Sequence, residues 1–191
     1  MRSESPSAAR VTAGSYRPSE DPAKWRGHAV LEIPVPQLES FVRSRTEFYD
    51  PALLSADPRF CHAHITLLAP LFELPSEVRV QQVVSRLSCF DFQLAHMDVF
   101  PTGMIHLRPT PMEPFQHAVD ALQKAFPEVT PYGGPHPVPH LSLDVLSDSV
   151  TLRSTRRLVG RLVPADCRAE HVDLCWYESQ RCAVVERWTL R

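Results

Sequence analysis

CHAHITLL, residues 61–68, has a counterpart further along the chain in VPHLSLDV, residues 138–145. Each stretch reads histidine, apolar residue, hydroxyl residue, apolar residue, and His140 lies 76 positions after His64. Short runs of aliphatic and β-branched residues predict β-strands. Because side chains alternate between the two faces of a strand, each strand buries its aliphatic residues and presents an imidazole beside a hydroxyl on the other face. A chain that builds this arrangement twice is expected to bring the two copies together.

Around these stretches the sequence predicts alternating strands and helices. The order is strand, helix, histidine strand, helix, strand, and then strand, helix, histidine strand, helix and two strands. This approximate duplication predicts two α/β lobes with a cleft between them. The further strands are expected at 28–35, 91–99, 104–108, 170–176 and 182–190, and the helices at about 36–48, 76–88, 114–126 and 150–162.

Composition sets limits on the class of protein. The chain has 191 residues, 43% of them hydrophobic and 22% charged, which is ordinary for one globular domain. A formal net charge of −2 argues against broad coating of a nucleic-acid duplex, but a nucleotide or an RNA end needs only a local positive site. Five cysteines without a CxxC pair indicate reduced thiols and a cytoplasmic location. We expect no membrane span and no signal peptide, and a flexible N-terminal extension over residues 1–24.

The paired motifs suit acid–base chemistry on a phosphate. A neutral imidazole and a protonated one, facing each other across a bound group, supply a general base and a general acid. The hydroxyl two residues on points the same way and can hydrogen-bond an anionic oxygen. One such motif alone is more often an ordinary strand histidine beside an ordinary strand threonine, and the repetition is what favours a functional interpretation.

These residues carry a family resemblance. His64-Ile65-Thr66-Leu67 and His140-Leu141-Ser142-Leu143 resemble the twin His-x-Thr/Ser-apolar motifs of the 2H phosphoesterase superfamily, and within it the bacterial 2′-5′ RNA ligase family. The likeness runs from about His28 to Arg191 and includes the loop at 126–134 and the stretch at 63–70. The resemblance implies an α+β fold of two pseudo-symmetric α/β lobes with mainly antiparallel sheets flanking a central cleft. We place lobe 1 at about 27–100 and lobe 2 at about 103–191 of a single domain over 25–191, with an exchange of strands between lobes left open.

The same resemblance implies an activity and a set of site residues. It implies metal-independent opening of 2′,3′-cyclic phosphodiesters on nucleotides or RNA ends, which some members run backwards to form 2′-5′ bonds. No cofactor and no obligate protein partner are expected, and the partner is a nucleotide or RNA terminus bearing a cyclic phosphate. His64 and His140 would be the acid–base pair, in an order that the sequence leaves open, and Thr66 and Ser142 would bind phosphoryl oxygens.

Three further residues are candidates for substrate contacts. Tyr132 lies in a Gly/Pro-rich loop before His140, where an aromatic ring could stack on a base. Trp176, followed by Tyr177, ends a predicted strand and could line the substrate groove. His62 is expected to place a third imidazole on the face of the first strand that carries His64.

Two alternatives remain at the level of sequence. Asp144 extends the polar face of the second strand past Ser142, so His62, His64, His140 and Asp144 could form a zinc-type site of a metal-dependent phosphohydrolase. Against this, no HExxH-like motif is present, and a metal site does not require a hydroxyl at the second position. The other alternative is a non-catalytic binder of nucleotides or RNA ends that retains the cleft.

Overall fold

The structure is a computed structural model, and it describes residues 27–132 and 134–191. The extension predicted over residues 1–24 therefore lies outside the described residues. Within these ranges the chain forms eight strands and four helices. The strands are β1 (His28–Pro34), β2 (His64–Leu71), β3 (Phe90–Val99), β4 (Met104–Thr110), β5 (Leu141–Val145), β6 (Ala165–Ala169), β7 (His171–Tyr177) and β8 (Ala183–Thr189).

All of the strand pairs are antiparallel, and together they form one curled sheet. The strand order is β6-β3-β4-β5-β2-β1-β7-β8. The two motif strands, β5 and β2, lie side by side at the centre, and each is followed outward by three strands of its own half. The predicted α+β fold with two pseudo-symmetric, mainly antiparallel halves is confirmed.

Strand pairing decides which strands belong to each half-sheet, and the order of the strands along the chain does not. β3 pairs with β4 and β6, so it lies in the half that contains β5. The C-terminal β7 and β8 return to the other half, where β7 pairs with β1. The division expected near residue 100 therefore separates β3 from the half-sheet in which it lies, because each half is completed by strands from the other part of the chain.

The helices are α1 (Glu39–Tyr49), α2 (Glu77–Val84), α3 (Glu113–Ala125) and α4 (Leu152–Val159). A 3₁₀ turn at Pro36–Leu38 leads into α1, and another at Gly160–Leu162 follows α4. Each of the two helices that precede a motif strand packs on the motif strand of the other half: α1 contacts β5, and α3 contacts β2. Through these contacts the two helices pack against the apolar face of the central strand pair and hold β2 and β5 together. No described helix is long and apolar enough to cross a membrane.

The structure differs from the sequence prediction in three places. β6 was not predicted. β2 continues through Pro70 to Leu71, because the irregular pairing with β1 between Leu68 and Leu71 accommodates a residue that lacks an N–H. The second motif forms a strand only from Leu141, so His140 immediately precedes β5, and Pro139 beside it has no N–H to donate to a neighbouring strand.

The apolar residues of the motifs behave as the alternation predicts. Ile65 and Leu141 are fully buried, and Leu67 and Leu143 are nearly so. They join the main hydrophobic core together with Phe115 of α3 and Phe41 of α1. The burial of this face fixes the register of both strands, and it therefore directs the polar residues of both motifs to the opposite face.

Candidate active site

The central strand pair brings the two motifs together. Ile65 of β2 pairs with Leu141 of β5 in an antiparallel register. This register sets Thr66 opposite His140 and Ser142 opposite His64, since side chains at directly opposed positions share a face. We refer to His64, Thr66, His140 and Ser142 as the two-histidine site. The two motifs thus face each other with approximate two-fold symmetry.

The two imidazoles are oriented in the same way. Nδ1 of His64 lies 2.9 Å from the carbonyl oxygen of His62. Nδ1 of His140 lies 2.7 Å from the carbonyl oxygen of Val138. A carbonyl oxygen only accepts hydrogen bonds, so Nδ1 carries the proton in both rings. In the neutral imidazole Nε2 then keeps its lone pair, and it can take a proton or, once protonated, give one.

Burial keeps both imidazoles neutral in the free protein. Desolvation, together with the nearby imidazoles of His140 and His62, lowers the pKa of His64 to about 4. Burial also lowers the pKa of His140. A site with two neutral imidazoles has a base available at neutral pH, but it must gain a proton on one ring before it can act as an acid.

The hydroxyl groups beside the imidazoles are available to a ligand. Thr66 is half-buried, and its hydroxyl makes no hydrogen bond with the described residues. Ser142 is exposed, and its Oγ lies 3.1 Å from the thioether sulfur of Met104, which is a weak acceptor. Both hydroxyls can therefore donate to an anionic oxygen with little competition from the protein.

A buried carboxyl and a phenol lie beside His64. Glu32 of β1, the strand partner of Thr66, is completely buried, and its Oε2 lies 3.5 Å from Nε2 of His64. The Tyr177 hydroxyl donates to the same Oε2 over 2.9 Å and lies 3.2 Å from Nδ1 of His64. Desolvation raises the pKa of Glu32 well above its usual value. Sequence reasoning did not single out Glu32, although a lone carboxylate among the apolar residues of 29–34 was a usable signal.

The equivalent position in the other half holds a third histidine. His106 of β4 is the strand partner of Ser142, as Glu32 is of Thr66. Its buried ring stacks on Phe100 with centroids 3.8 Å apart, and it meets the ring of His140 edge-on at 5.4 Å. Burial lowers the pKa of His106. The environments of the two motif histidines therefore differ, with an acid beside His64 and an aromatic pair beside His140.

His62 does not lie where the sequence predicted. β2 begins only at His64, so the strand alternation that was expected to place His62 on the same face does not reach it. Its ring is buried, with Nδ1 2.7 Å from Oε1 of Glu39 and Nε2 accepting the N–H of Ser55 over 3.3 Å. Glu39 Oε2 also accepts the N–H of Ala63. These bonds fix the backbone that carries the carbonyl partner of His64.

Asp144 is also held away from the two-histidine site. Ser142 and Asp144 pair with the adjacent residues His106 and Ile105, so a bulge interrupts the alternation of β5 at Leu143. The carboxylate of Asp144 accepts from Arg45 over 2.7 Å, from Tyr49, and from Thr155 Oγ1 over 2.8 Å. The structure therefore does not bring His62 and Asp144 to His64 and His140 as the metal alternative required. No group of three or more potential ligands with a metal-binding arrangement occurs within 27–132 and 134–191.

The structure places the aromatic candidates Tyr132 and Trp176 in different surroundings. The N–H of Tyr132 donates to the carbonyl of Ala69 over 2.9 Å, and its exposed ring meets that of His28 at 5.9 Å. The ring of His28 stacks in turn on Tyr177, 6.2 Å away. Trp176 points to the other face of β7, where its Nε1 donates to Glu178 and its ring lies against Gly27 so closely that a Cβ there would come within 2.7 Å of it. Tyr177, not Trp176, is the residue of this pair that reaches His64.

A family model agrees with the fold and the paired motifs. The model of the 2′-5′ RNA ligase superfamily matches residues 34–181, a span that includes both motifs. The chain belongs to this superfamily, within the 2H phosphoesterases. Membership makes it a phosphoesterase-type protein, an enzyme class that acts on phosphodiester bonds.

Solved structures of the same fold are distant in sequence. The crystal structure of Escherichia coli LigT complexed with 3′-AMP is 17% identical with a TM-score of 0.56, and the match covers 85% of this chain and 97% of that one. TT0787 of Thermus thermophilus is 17% identical with a TM-score of 0.56, covering 86% and 98%. LigT was also solved with ATP, at 18% identity and a TM-score of 0.53, covering 85% and 97%. No curated protein matches the chain in sequence.

Proposed function

We propose that the chain hydrolyses 2′,3′-cyclic phosphodiesters on nucleotides or RNA ends, without a metal ion, by acid–base catalysis between His64 and His140. The observation that carries the proposal is the central strand pair, which sets an imidazole and a hydroxyl of one motif opposite those of the other. Each imidazole is held by a carbonyl at Nδ1 and is free to exchange a proton at Nε2. The reverse reaction, 2′-5′ ligation, would use the same groups.

The chemistry follows from this arrangement. One imidazole takes a proton from water at Nε2 as the water oxygen attacks phosphorus, and the other gives a proton from Nε2 to the departing 2′- or 3′-oxygen. The hydroxyls of Thr66 and Ser142 donate to the nonbridging oxygens, where negative charge accumulates. The bound phosphate also favours a protonated imidazole, because its negative charge offsets the cost of a buried cation.

Tyr132, at the outer end of a row of aromatic rings beside His64, would hold the base. Tyr177, His28 and Tyr132 follow one another outward from the two-histidine site. Aromatic rings hold nucleobases by stacking with little preference for sequence. The LigT structures solved with 3′-AMP, ATP and NADP+ support a nucleotide as the ligand. We propose Tyr132 as a base contact and assign no such role to Trp176 or His62.

All five cysteines are unpaired thiols, which supports a reducing compartment such as the cytoplasm as the place of action.

We also propose that residues 25–191 act as one bilobal domain and that the extension before them is dispensable for hydrolysis. A truncated chain that begins at residue 25 should keep the activity of the full chain.

The test is hydrolysis of the four 2′,3′-cyclic nucleotides in excess EDTA by wild type, His64→Ala, His140→Ala and His117→Ala. His117 is an exposed histidine of α3, so it serves as the matched control. We expect turnover in EDTA by wild type and His117→Ala, and a loss of about 10²–10⁴-fold in each of the other two variants. Activity that EDTA abolishes would instead support the metal-dependent alternative, and binding without turnover would support the non-catalytic one.

A further inference from the structure

The proposed reaction needs a protonated imidazole that the free site does not supply. The pKa of His64 is lowered to about 4, and that of His140 is also lowered, so both rings are neutral at pH 7. An acid catalyst must carry its proton at the working pH. The charge of the bound phosphate favours a protonated ring, and a group that holds a proton close to one of the histidines would supply that proton without uptake from solvent.

Glu32 is placed to do this. It is completely buried, and its Oε2 lies 3.5 Å from Nε2 of His64, slightly beyond hydrogen-bond length. Catalytic hydrogen bonds are often long before substrate binds and tighten in the complex. Tyr177 donates to Oε2, whereas Oε1 makes no hydrogen bond with any residue in the described ranges.

The partners of Glu32 are those of a neutral acid. Asp173, its strand partner on β7, is equally buried, but Arg187 donates to both of its oxygens over 2.6 Å. No Arg or Lys within 27–132 and 134–191 pairs with Glu32, and an ionised carboxylate with an unpaired buried oxygen is costly. The raised pKa of Glu32 has the same cause, so burial favours the protonated carboxyl beside a neutral His64.

We propose that Glu32 stores the proton that makes His64 the general acid, with Tyr177 stabilising the carboxylate once that proton has left. When a phosphate binds beside His64, the Glu32 carboxyl loses one proton and the His64 imidazole gains one, giving a carboxylate and an imidazolium with no net uptake. The O–H bond of the carboxyl is broken and an Nε2–H bond is formed. This inference rests on the proposed function, and Glu32 acts in it as a positioning residue that does not touch substrate.

The inference also assigns the acid and base roles to the two histidines. The position equivalent to Glu32 in the other half-sheet is His106, whose pKa is lowered, so it holds no proton to give at pH 7. His64 is then the acid and His140 the base. The other titratable groups that face Glu32 and His64 are Cys175, Asp173, Glu39, His62 and His140.

The test follows the protonation of His64 directly. Imidazole ¹⁵N NMR spectra are recorded at pH 7 with and without inorganic phosphate for wild type, Glu32→Gln, Tyr177→Phe and Cys175→Ala. Glutamine preserves the shape of Glu32 but cannot release a proton, and Cys175→Ala removes the thiol beside the carboxyl while the carboxyl and its proton stay in place. We expect phosphate to convert His64 to imidazolium in wild type and in Cys175→Ala. In Glu32→Gln the ring should stay neutral until the pH is lowered by at least about one unit, which is a tenfold rise in proton concentration.

Kinetics give a second readout. Glu32→Gln should lower kcat for a 2′,3′-cyclic nucleotide at pH 7 by about 10–100-fold with little change in KM, because general-acid assistance is lost while binding is kept. Tyr177→Phe should lower kcat less. A Glu32→Gln protein whose His64 protonates on phosphate addition as in wild type would overturn the inference and leave the proposed function standing. If neither His64 nor His140 responds to phosphate in any variant, the proposed function fails as well.

Discussion

Four histidines near the centre of the sheet differ in their chemistry because their hydrogen-bond partners differ. His64 and His140 each give one nitrogen to a backbone carbonyl, and neither makes a hydrogen bond at the other nitrogen with the described residues. His62 has both nitrogens engaged by Glu39 and Ser55. His106 is stacked on Phe100. Residue type alone therefore does not decide which histidine can exchange protons, and the partner of each ring nitrogen does.

At the scale of single residues, the hydroxyl of Thr66 should stabilise the transition state of the reaction. Thr66→Val keeps the branched shape and removes the donor to a nonbridging oxygen, so we expect kcat to fall by about 100-fold with little change in the free energy of unfolding. Thr66→Ser should retain most of the activity, because it keeps the donor. Thr189→Val on the outer strand β8 is the matched control and should be neutral. An active Thr66→Val enzyme would remove this threonine from the site.

The repeated spacing predicted that His64, Thr66, His140 and Ser142 lie together, and the pairing of β2 with β5 agrees with that placement. It did not predict the groups beside them. Glu32 and His106 could not be assigned, because they join the site only through the pairing of β1 with β2 and of β4 with β5. His62 was misplaced because the alternation of a strand was applied to a residue that precedes the strand.

Among the elements, the bulge in β5 links the motif to two helices. It turns Asp144 toward α1 and α4, where Arg45, Tyr49 and Thr155 donate to its carboxylate. The side chain of Asp144 is fully buried and that of Arg45 is 14% exposed. A buried carboxylate with this many donors anchors the strand that follows His140, so its role is structural.

Asp144→Asn should therefore destabilise the fold. The amide weakens the hydrogen bonds and leaves Arg45 without its counter-charge, and we expect a loss of about 2–4 kcal/mol in the free energy of unfolding. Urea denaturation at pH 7 measures it. Asp91→Asn removes an ion pair with Arg168 whose side chains are 77% and 50% exposed, and this matched change should have little effect, because solvent screens an exposed pair. Equal losses in both variants would contradict the anchoring role.

Strands with a long apolar pattern were predictable, and short or interrupted ones were not. The continuous apolar run of β1 and the helical periodicity of α3 predicted boundaries close to those observed. β6 was missed because ADCRA is five residues long and gains its stability from pairing with β3, a partner more than sixty positions away.

For the molecule as a whole, the duplication in the sequence predicted two halves but not which strands each half contains. Each half-sheet is completed by strands that the chain delivers from its other part, and no local pattern encodes that exchange. What could be predicted was the meeting of the two motif strands. It follows from both strands having one apolar face to bury and one polar face to share.

The pH dependence of kcat/KM tests the environment of the whole site. The base must be neutral, and burial lowers the pKa of both motif histidines below the usual 6.5, to about 4 for His64. A lowered pKa keeps the ring neutral to lower pH, so the acidic limb of the profile should lie below pH 6.5 whichever histidine is the base. Initial rates from pH 4 to 9 with a cyclic nucleotide measure it, with circular dichroism to confirm folding at each pH. An acidic limb above pH 6.5 would contradict the burial of the site.

The most direct test of the central claim, that His64 and His140 act as one unit, is a double-mutant cycle on cyclic-nucleotide hydrolysis. Groups that act together are strongly non-additive, so the His64→Ala/His140→Ala protein should be hardly slower than the slower of the two single variants. If the loss in the double variant instead equals the product of the two single losses, the two histidines act independently, and the two-histidine site is not the catalytic unit.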